Sequence, residues 1–147
     1  MIATNAGEEL ASMNKIASGG ELARIMLAMK SAMSDKNGAQ TVIFDEIDTG
    51  VSGSTSQKIG IKLHDISVLT QTICVTHSAQ IAAFADQHFF IKKSEIENRA
   101  EAKVFVLNSN QKIEEIARII GGIDVTEKQF AAANELIAQS KALIGLK

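Results

Sequence analysis

Three stretches decide the reading: Ala17-Ser18-Gly19-Gly20-Glu21-Leu22-Ala23-Arg24, then Thr41-Val42-Ile43-Phe44-Asp45-Glu46, then Ile73-Cys74-Val75-Thr76-His77. In the first, a Ser-Gly-Gly-Glu turn opens an apolar-periodic segment. Leu22, Ile25, Met26, Met29 and Met33 recur at spacings of three and four, which predicts a helix from Gly20 to about Met33 with the methionine stripe as its core face. The second and third are short continuous apolar runs, as expected of strands covered on both faces. One of these strands ends in two carboxylates and the other in a histidine.

Outward from these stretches the pattern alternates. Residues 1–17 are polar and predict a loop or short hairpin, and Asp35–Gly38 a turn. A Gly- and Ser-containing loop at 47–53 leads into a helix from about Ser54 to Leu69, with Ile59, Leu63 and Ile66 inward. A short helix is expected over 79–86. Strands at 88–93 and 103–108, joined by a charged turn at 94–100, predict a hairpin at the sheet edge. Helices follow at about 111–120 and 126–144, separated by Gly121-Gly122, with Thr126 and Gln129 as a capping box. No linker, repeat or proline interrupts the chain. The expectation is one α/β domain spanning 1–147: a mainly parallel sheet flanked by helices, with an edge hairpin and C-terminal helices.

Composition narrows the function. Hydrophobic content of 46% with 22% charged residues describes a folded chain rather than a disordered one. A net charge of −2 argues against a basic nucleic-acid clamp. No apolar run approaches the roughly 20 residues of a membrane span, and no secretory leader is evident. Cys74, the single cysteine, reads as a core hydrophobe in a reducing compartment. Three dispersed histidines give no zinc-ligand spacing, and His64 and His88 read as structural.

The end residues carry the chemistry. Backbone N–H groups at a helix start form an anion site, and Ser18-Gly19-Gly20 adds a hydroxyl and two residues without side chains that a phosphate can approach. The same stretch satisfies a plain Ser N-cap with Glu21 in the first turn. Ligands of open α/β sheets bind beyond the carboxyl ends of the strands. There Asp45 suits a Mg²⁺ ion held through water, and Glu46 suits the positioning of an attacking water; a solvated strand-end pair is the simpler reading. His77 suits a hydrogen bond to a terminal phosphate. Arg24 stands open between a contact to a partner or DNA and a solvated helix charge. No Gly-x-x-x-x-Gly-Lys-Ser/Thr phosphate loop occurs.

These residues, in this order, resemble the head of an ABC-type ATPase, and more specifically the bacterial RecN family of SMC-like DNA repair ATPases. Ala17 to Lys30 looks like its signature helix, and Phe44-Asp45-Glu46-Ile47-Asp48-Thr49-Gly50-Val51-Ser52-Gly53 like its Walker B strand and D-loop. Val75-Thr76-His77-Ser78-Ala79-Gln80-Ile81-Ala82 looks like its switch region, with Ser78-Ala79 where the family tends to have Leu-Pro. Gly121-Gly122 and Val125-Thr126-Glu127 resemble its C-terminal end.

The resemblance implies the C-terminal half of a P-loop NTPase head that uses ATP and Mg²⁺. Its partners would be an N-terminal P-loop segment of the same protein, a second head in a homodimer, and DNA, in the cytoplasm and with no membrane. Ser18, Gly19, Gly20 and Glu21 would face the other head's γ-phosphate. Asp45, Glu46 and His77 would act on their own head's nucleotide, and Asp48 would cross the interface. Without the P-loop segment, Gln71–Thr76 would keep an unpaired edge unless the chain's own hairpin covers it. An ABC transporter nucleotide-binding subunit and a non-catalytic interaction fragment remain as alternatives.

Overall fold

The structure, a computed structural model, describes residues 18–32, 39–96 and 99–145. The expected loop before Ser18, the turn at Asp35–Gly38, Met33 and residues 97–98 of the expected hairpin turn lie outside them. The chain divides into two compact units at Thr76/His77, where composition shows no break.

In the first unit, α1 (Gly19–Ala32) leads to β1 (Thr41–Asp45), α2 (Gly53–Ser67) and β2 (Gln71–Val75). The two strands pair in parallel, with Thr41 opposite Gln71 and Asp45 opposite Val75. A parallel pair needs a crossover, and α2 supplies it, turning Ile59, Leu63 and Ser56 inward at helical spacing. Leu27, Phe44 and Ile47 are the other buried apolar residues of this unit.

Two expectations are corrected here. The methionine stripe is not core: Leu22, Met26 and Met29 are 41%, 45% and 49% exposed, whereas Leu27 is buried. The strands are covered on one face only. Phe44 is buried and Cys74 half-buried, while Ile43, Ile73 and Val75 on the opposite face stand open. The reason is common to both, since α1 and α2 pack on each other and on one side of the pair and no described element of this unit covers the rest. An open groove of about 300 Å³ between α1 and β1, lined by Leu22, Met26, Lys30, Ile43 and Asp45 among others, marks the uncovered side.

The second unit contains a short α3 (Ala79–Ala82), β3 (His88–Ile96), β4 (Arg99–Leu107), α4 (Ser109–Gly121) and α5 (Glu127–Gly145). Its core is built largely of small residues, Ala79, Ala82, Ala83, Ala117 and Ala133 around Ile116, which lets the helices approach closely. The hairpin is longer than its charge pattern suggested. Pairing runs from His88↔Leu107 to Ile96↔Arg99, so residues 94–96 and 99–100 of the expected turn belong to the ladder. Among the described residues each sheet has two strands, and β2 pairs with β1 alone.

The capping box belongs elsewhere than expected. Asn108 and Gln111 form one at the start of α4, with both reciprocal bonds at 3.0 Å. At α5 only half is present: Gln129 accepts from the Thr126 N–H, but its own N–H donates to the Thr126 carbonyl instead of the hydroxyl. Gly122 ends α4 at φ 80°, a left-handed turn that suits glycine.

His88 opens the hairpin half-buried, with Glu115 and Lys112 of α4 as its charged neighbours. Burial lowers its pKa below the usual 6.5; Lys112 adds to that, and Glu115 opposes it. The unfolded chain therefore takes up a proton that the folded one resists. Stability is expected to hold above pH about 6.5 and to fall as pH drops from there toward the depressed folded value. Urea unfolding followed across that window should show the loss, and His88→Gln should flatten it; an equal slope in the variant would refute the assignment.

Candidate functional site

The site is built at the carboxyl end of β1 and the amino end of α1. Ser18 and Glu21 cap α1 reciprocally. The Ser18 N–H donates to Glu21 Oε2 at 2.9 Å, and the Glu21 N–H donates to Ser18 Oγ at 3.4 Å, so the plain N-cap reading is realised. The N–H groups of Gly19 and Gly20 fall among the first four of the helix, which have no carbonyl to bond within it.

The two glycines are not equivalent. Gly19 is exposed, and a Cβ built there meets nothing within 4 Å. Gly20 is buried, and its Cβ would stand 2.9 Å from the Glu46 carbonyl oxygen and 3.1 Å from Thr49 Cβ. Gly19 leaves room for an incoming group; Gly20 makes room for the chain's own loop.

Asp45 and Glu46 are both exposed, so the pair carries little of the desolvation cost expected of strand-end carboxylates in an apolar setting. Glu46 adopts φ 53°, the left-handed region that costs a non-glycine residue about 1–2 kcal/mol. Several contacts hold it there. The Thr49 N–H donates to the Glu46 carbonyl at 3.1 Å, and Ile47 is fully buried. Arg24 Nη1 donates to the Ile47 carbonyl at 3.1 Å and to the Thr49 carbonyl at 2.9 Å.

This is the site residue whose role sequence reasoning missed. Arg24 is not a plain solvated charge but a half-buried clamp on the loop after β1. The available signal was its position one turn after Gly20, on the same helix face.

Asp48 also differs from its sequence-based placement. It is 5% exposed and accepts from the Thr76 hydroxyl at 2.7 Å, so its carboxylate faces the end of β2 and not an outer surface. Thr76 closes the first unit; His77, exposed, opens the second. Burial first, then the charges of Asp48 and Asp45, push the Cys74 thiol up to about 12, which keeps it protonated and chemically inert. Among the described residues no three His, Cys, Asp or Glu cluster to hold a metal, and no helix is long and apolar enough to cross a membrane.

This architecture recurs in a solved structure from work on ATP-driven dimerization and DNA-stimulated activation of SMC ATPases. The match has a TM-score of 0.53 at 24% identity, over 81% of this chain and 71% of that one. The likeness is one of fold, a parallel α/β arrangement shared with that structure. No protein-family model matches. The sequence is more specific: it is 45% identical over 95% of its length to DNA repair protein RecN of Bacillus subtilis. It is 46% identical over 92% to RecN of Halalkalibacterium halodurans and 46% over 91% to RecN of Rickettsia conorii. Over nearly its whole length the chain is a homologue of part of RecN, and it spans about a quarter of those relatives, 24–25%.

The contrast between the glycines is testable by denaturation. Gly20→Ala should lose about 1–3 kcal/mol, the usual cost of overpacking, because the Glu46 carbonyl is backbone and cannot swing aside. Gly19→Ala should be neutral or slightly stabilising, since alanine suits a helix better. Equal effects would refute the loop-seat role of Gly20.

Proposed function

We propose that this chain is the C-terminal lobe of a RecN-like ATPase head, which binds and hydrolyses ATP between two engaged heads during recombinational repair of DNA double-strand breaks. The observation that carries the reading is the exposed Asp45–Glu46 pair at the carboxyl end of a parallel strand, in a homologue of RecN. ATP would be the substrate, with its phosphate loop supplied by an N-terminal segment of the same protein; the chain by itself would be inactive.

The residues present fit a phosphate and its metal. Gly19 offers open space at a helix start, where an anion is favoured, and Asp45 presents a solvent-accessible carboxylate. Mg²⁺ bound through Asp45 would neutralise phosphate charge. Glu46 would orient the attacking water, His77 would hydrogen-bond the γ-phosphate, and Ser18 and Gly19 would face the phosphate of a second head, with Gly20 seating the loop behind them. Asp48 would act from inside, by tying the loop after β1 to the end of β2. The protein would work in the cytoplasm, on the nucleoid, as a homodimer.

The open apolar surfaces agree with a lobe that the remainder of a longer protein covers. Ile43, Ile73 and Val75 in the first unit and Phe89, Ile91, Val104 and Val106 in the second are 44–66% exposed, and contiguous apolar faces of this kind mark interaction surfaces.

The test is Mg²⁺-dependent ATP turnover by the chain joined to its P-loop segment, beside Glu46→Gln. The variant should retain nucleotide binding and lose roughly 10²–10⁴-fold in turnover, the range for removing a positioned acid–base group. Turnover indifferent to Glu46 would defeat the catalytic assignment.

A further inference from the structure

We propose that Arg24 is a positioning residue for Glu46: its guanidinium holds the loop after β1 on α1, so that what the amino end of α1 binds is felt at the Glu46 backbone. The proposal rests on the ATPase reading above and adds a coupling element to it.

The argument is geometric. Glu46 sits at φ 53°, a conformation that persists only when its surroundings over-determine it. Two of the groups that hold it belong to α1. Gly20 abuts the Glu46 carbonyl so closely that no Cβ fits, and Arg24 Nη1 bonds the carbonyls of Ile47 and Thr49. Those carbonyls flank Asp48, whose carboxylate accepts from Thr76. Segments far apart in sequence thus close on one four-residue loop, Glu46 to Thr49, and the Arg24 guanidinium brings a positive charge to its carbonyls.

A charge-assisted donor shared by two carbonyls is a strong and directional restraint. The amino end of the same helix, Ser18 and Gly19, lies five to six residues before Arg24, about one and a half turns. A shift of α1 on engaging an anion is therefore transmitted to Glu46 through a rigid contact, because packed interiors carry displacement and do not absorb it. A bland role, in which Arg24 merely stabilises the fold, would change stability without singling out the catalytic step.

The experiment uses the full-length protein that contains this lobe, with Arg24→Gln, Arg24→Lys, Glu46→Gln and the Arg24→Gln/Glu46→Gln pair. Arg24→Gln should lower kcat roughly 10–100-fold, the scale of a misplaced catalytic group, while KM for ATP changes little. Arg24→Lys keeps a donor and should recover part of the loss, and it serves as the test variant should Arg24→Gln fail to fold. In the Glu46→Gln background Arg24→Gln should cost nothing further, since it acts through Glu46. Hydrogen–deuterium exchange in nucleotide-free protein should rise at residues 46–49 in Arg24→Gln.

Unchanged kcat in both Arg24 variants, a rise in KM alone, or a full additional loss in the double variant would overturn the proposal. Wild-type turnover that ignores Glu46→Gln would overturn the ATPase reading. The exchange data separate that outcome from failure of the clamp: unchanged exchange at 46–49 in Arg24→Gln shows that Arg24 does not hold the loop.

Discussion

The seat of the Glu46–Thr49 loop on the first turns of α1 is the contact on which the first unit depends. It combines an absence with a charge: Gly20 lacks the Cβ that would strike the Glu46 carbonyl, and Arg24 fills the space beyond with two bonds to loop carbonyls. Ile47, fully buried beneath, locks the loop from the other side. Remove the room at Gly20 and either the helix or the loop must move, and neither moves alone. The left-handed Glu46 is the residue at which that conflict would surface, because its backbone is already in a costly region.

The strands tell a different story about cover. A sheet of two strands is marginal in isolation, so each sheet here depends on what packs against it. In the first unit α1 and α2 do this on one face; in the second, Arg118 lies 5.9 Å from the Phe90 ring centroid and joins α4 to one face of the hairpin while pairing with Glu115 at 2.6 Å. The opposite faces keep valine, isoleucine and phenylalanine in solvent. Such residues give no stability where they stand. Their burial would contribute roughly 25 cal/mol for each Å² removed from water, which fits a lobe whose remaining stability comes from contacts with more protein.

Much of the fold was legible because helix and strand periods are local properties. The ranges of α1, β1, α2 and β2 follow from the spacing of Leu22 to Met29, the Thr41–Phe44 run, Ile59 with Leu63, and the Ile73–Val75 run. Cover was not legible. A continuous apolar strand predicts two buried faces whether or not the second covering layer lies in the same chain, so Ile43 and Ile73 were read as interior. The methionines of α1 misled for the same reason. The hairpin's length is hidden because charge at 94–100 reads as a turn signal, although a ladder in solvent carries charge into its last pairs. Asn108 was read as the end of a strand; the Asn-x-x-Gln spacing to Gln111 was the overlooked signal. Arg24 and Asp48 could be flagged by type and position, but which way each side chain points is set by tertiary contacts that no local pattern encodes.

The Ser-Gly-Gly-Glu turn carries two readings in the sequence, an anion cradle and a plain Ser N-cap, and the structure divides it into separate tasks. Glu21 serves the cap: its carboxylate accepts from the Ser18 N–H, which occupies that donor and holds a negative charge at the helix start. Gly20 serves the loop behind it. What remains outward is the Ser18 residue, exposed, and the Gly19 backbone with nothing near its missing Cβ. The cap takes the Ser18 N–H and a lone pair of its hydroxyl, and leaves the Gly19 backbone to an anion. The cap fixes the first turn, Gly19 within it is exposed, and the helix dipole adds its partial positive charge at the same end. A phosphate arriving there would meet a preorganised edge and not a flexible loop, which is the condition under which a binding event at one end of a helix can be transmitted to its next turn.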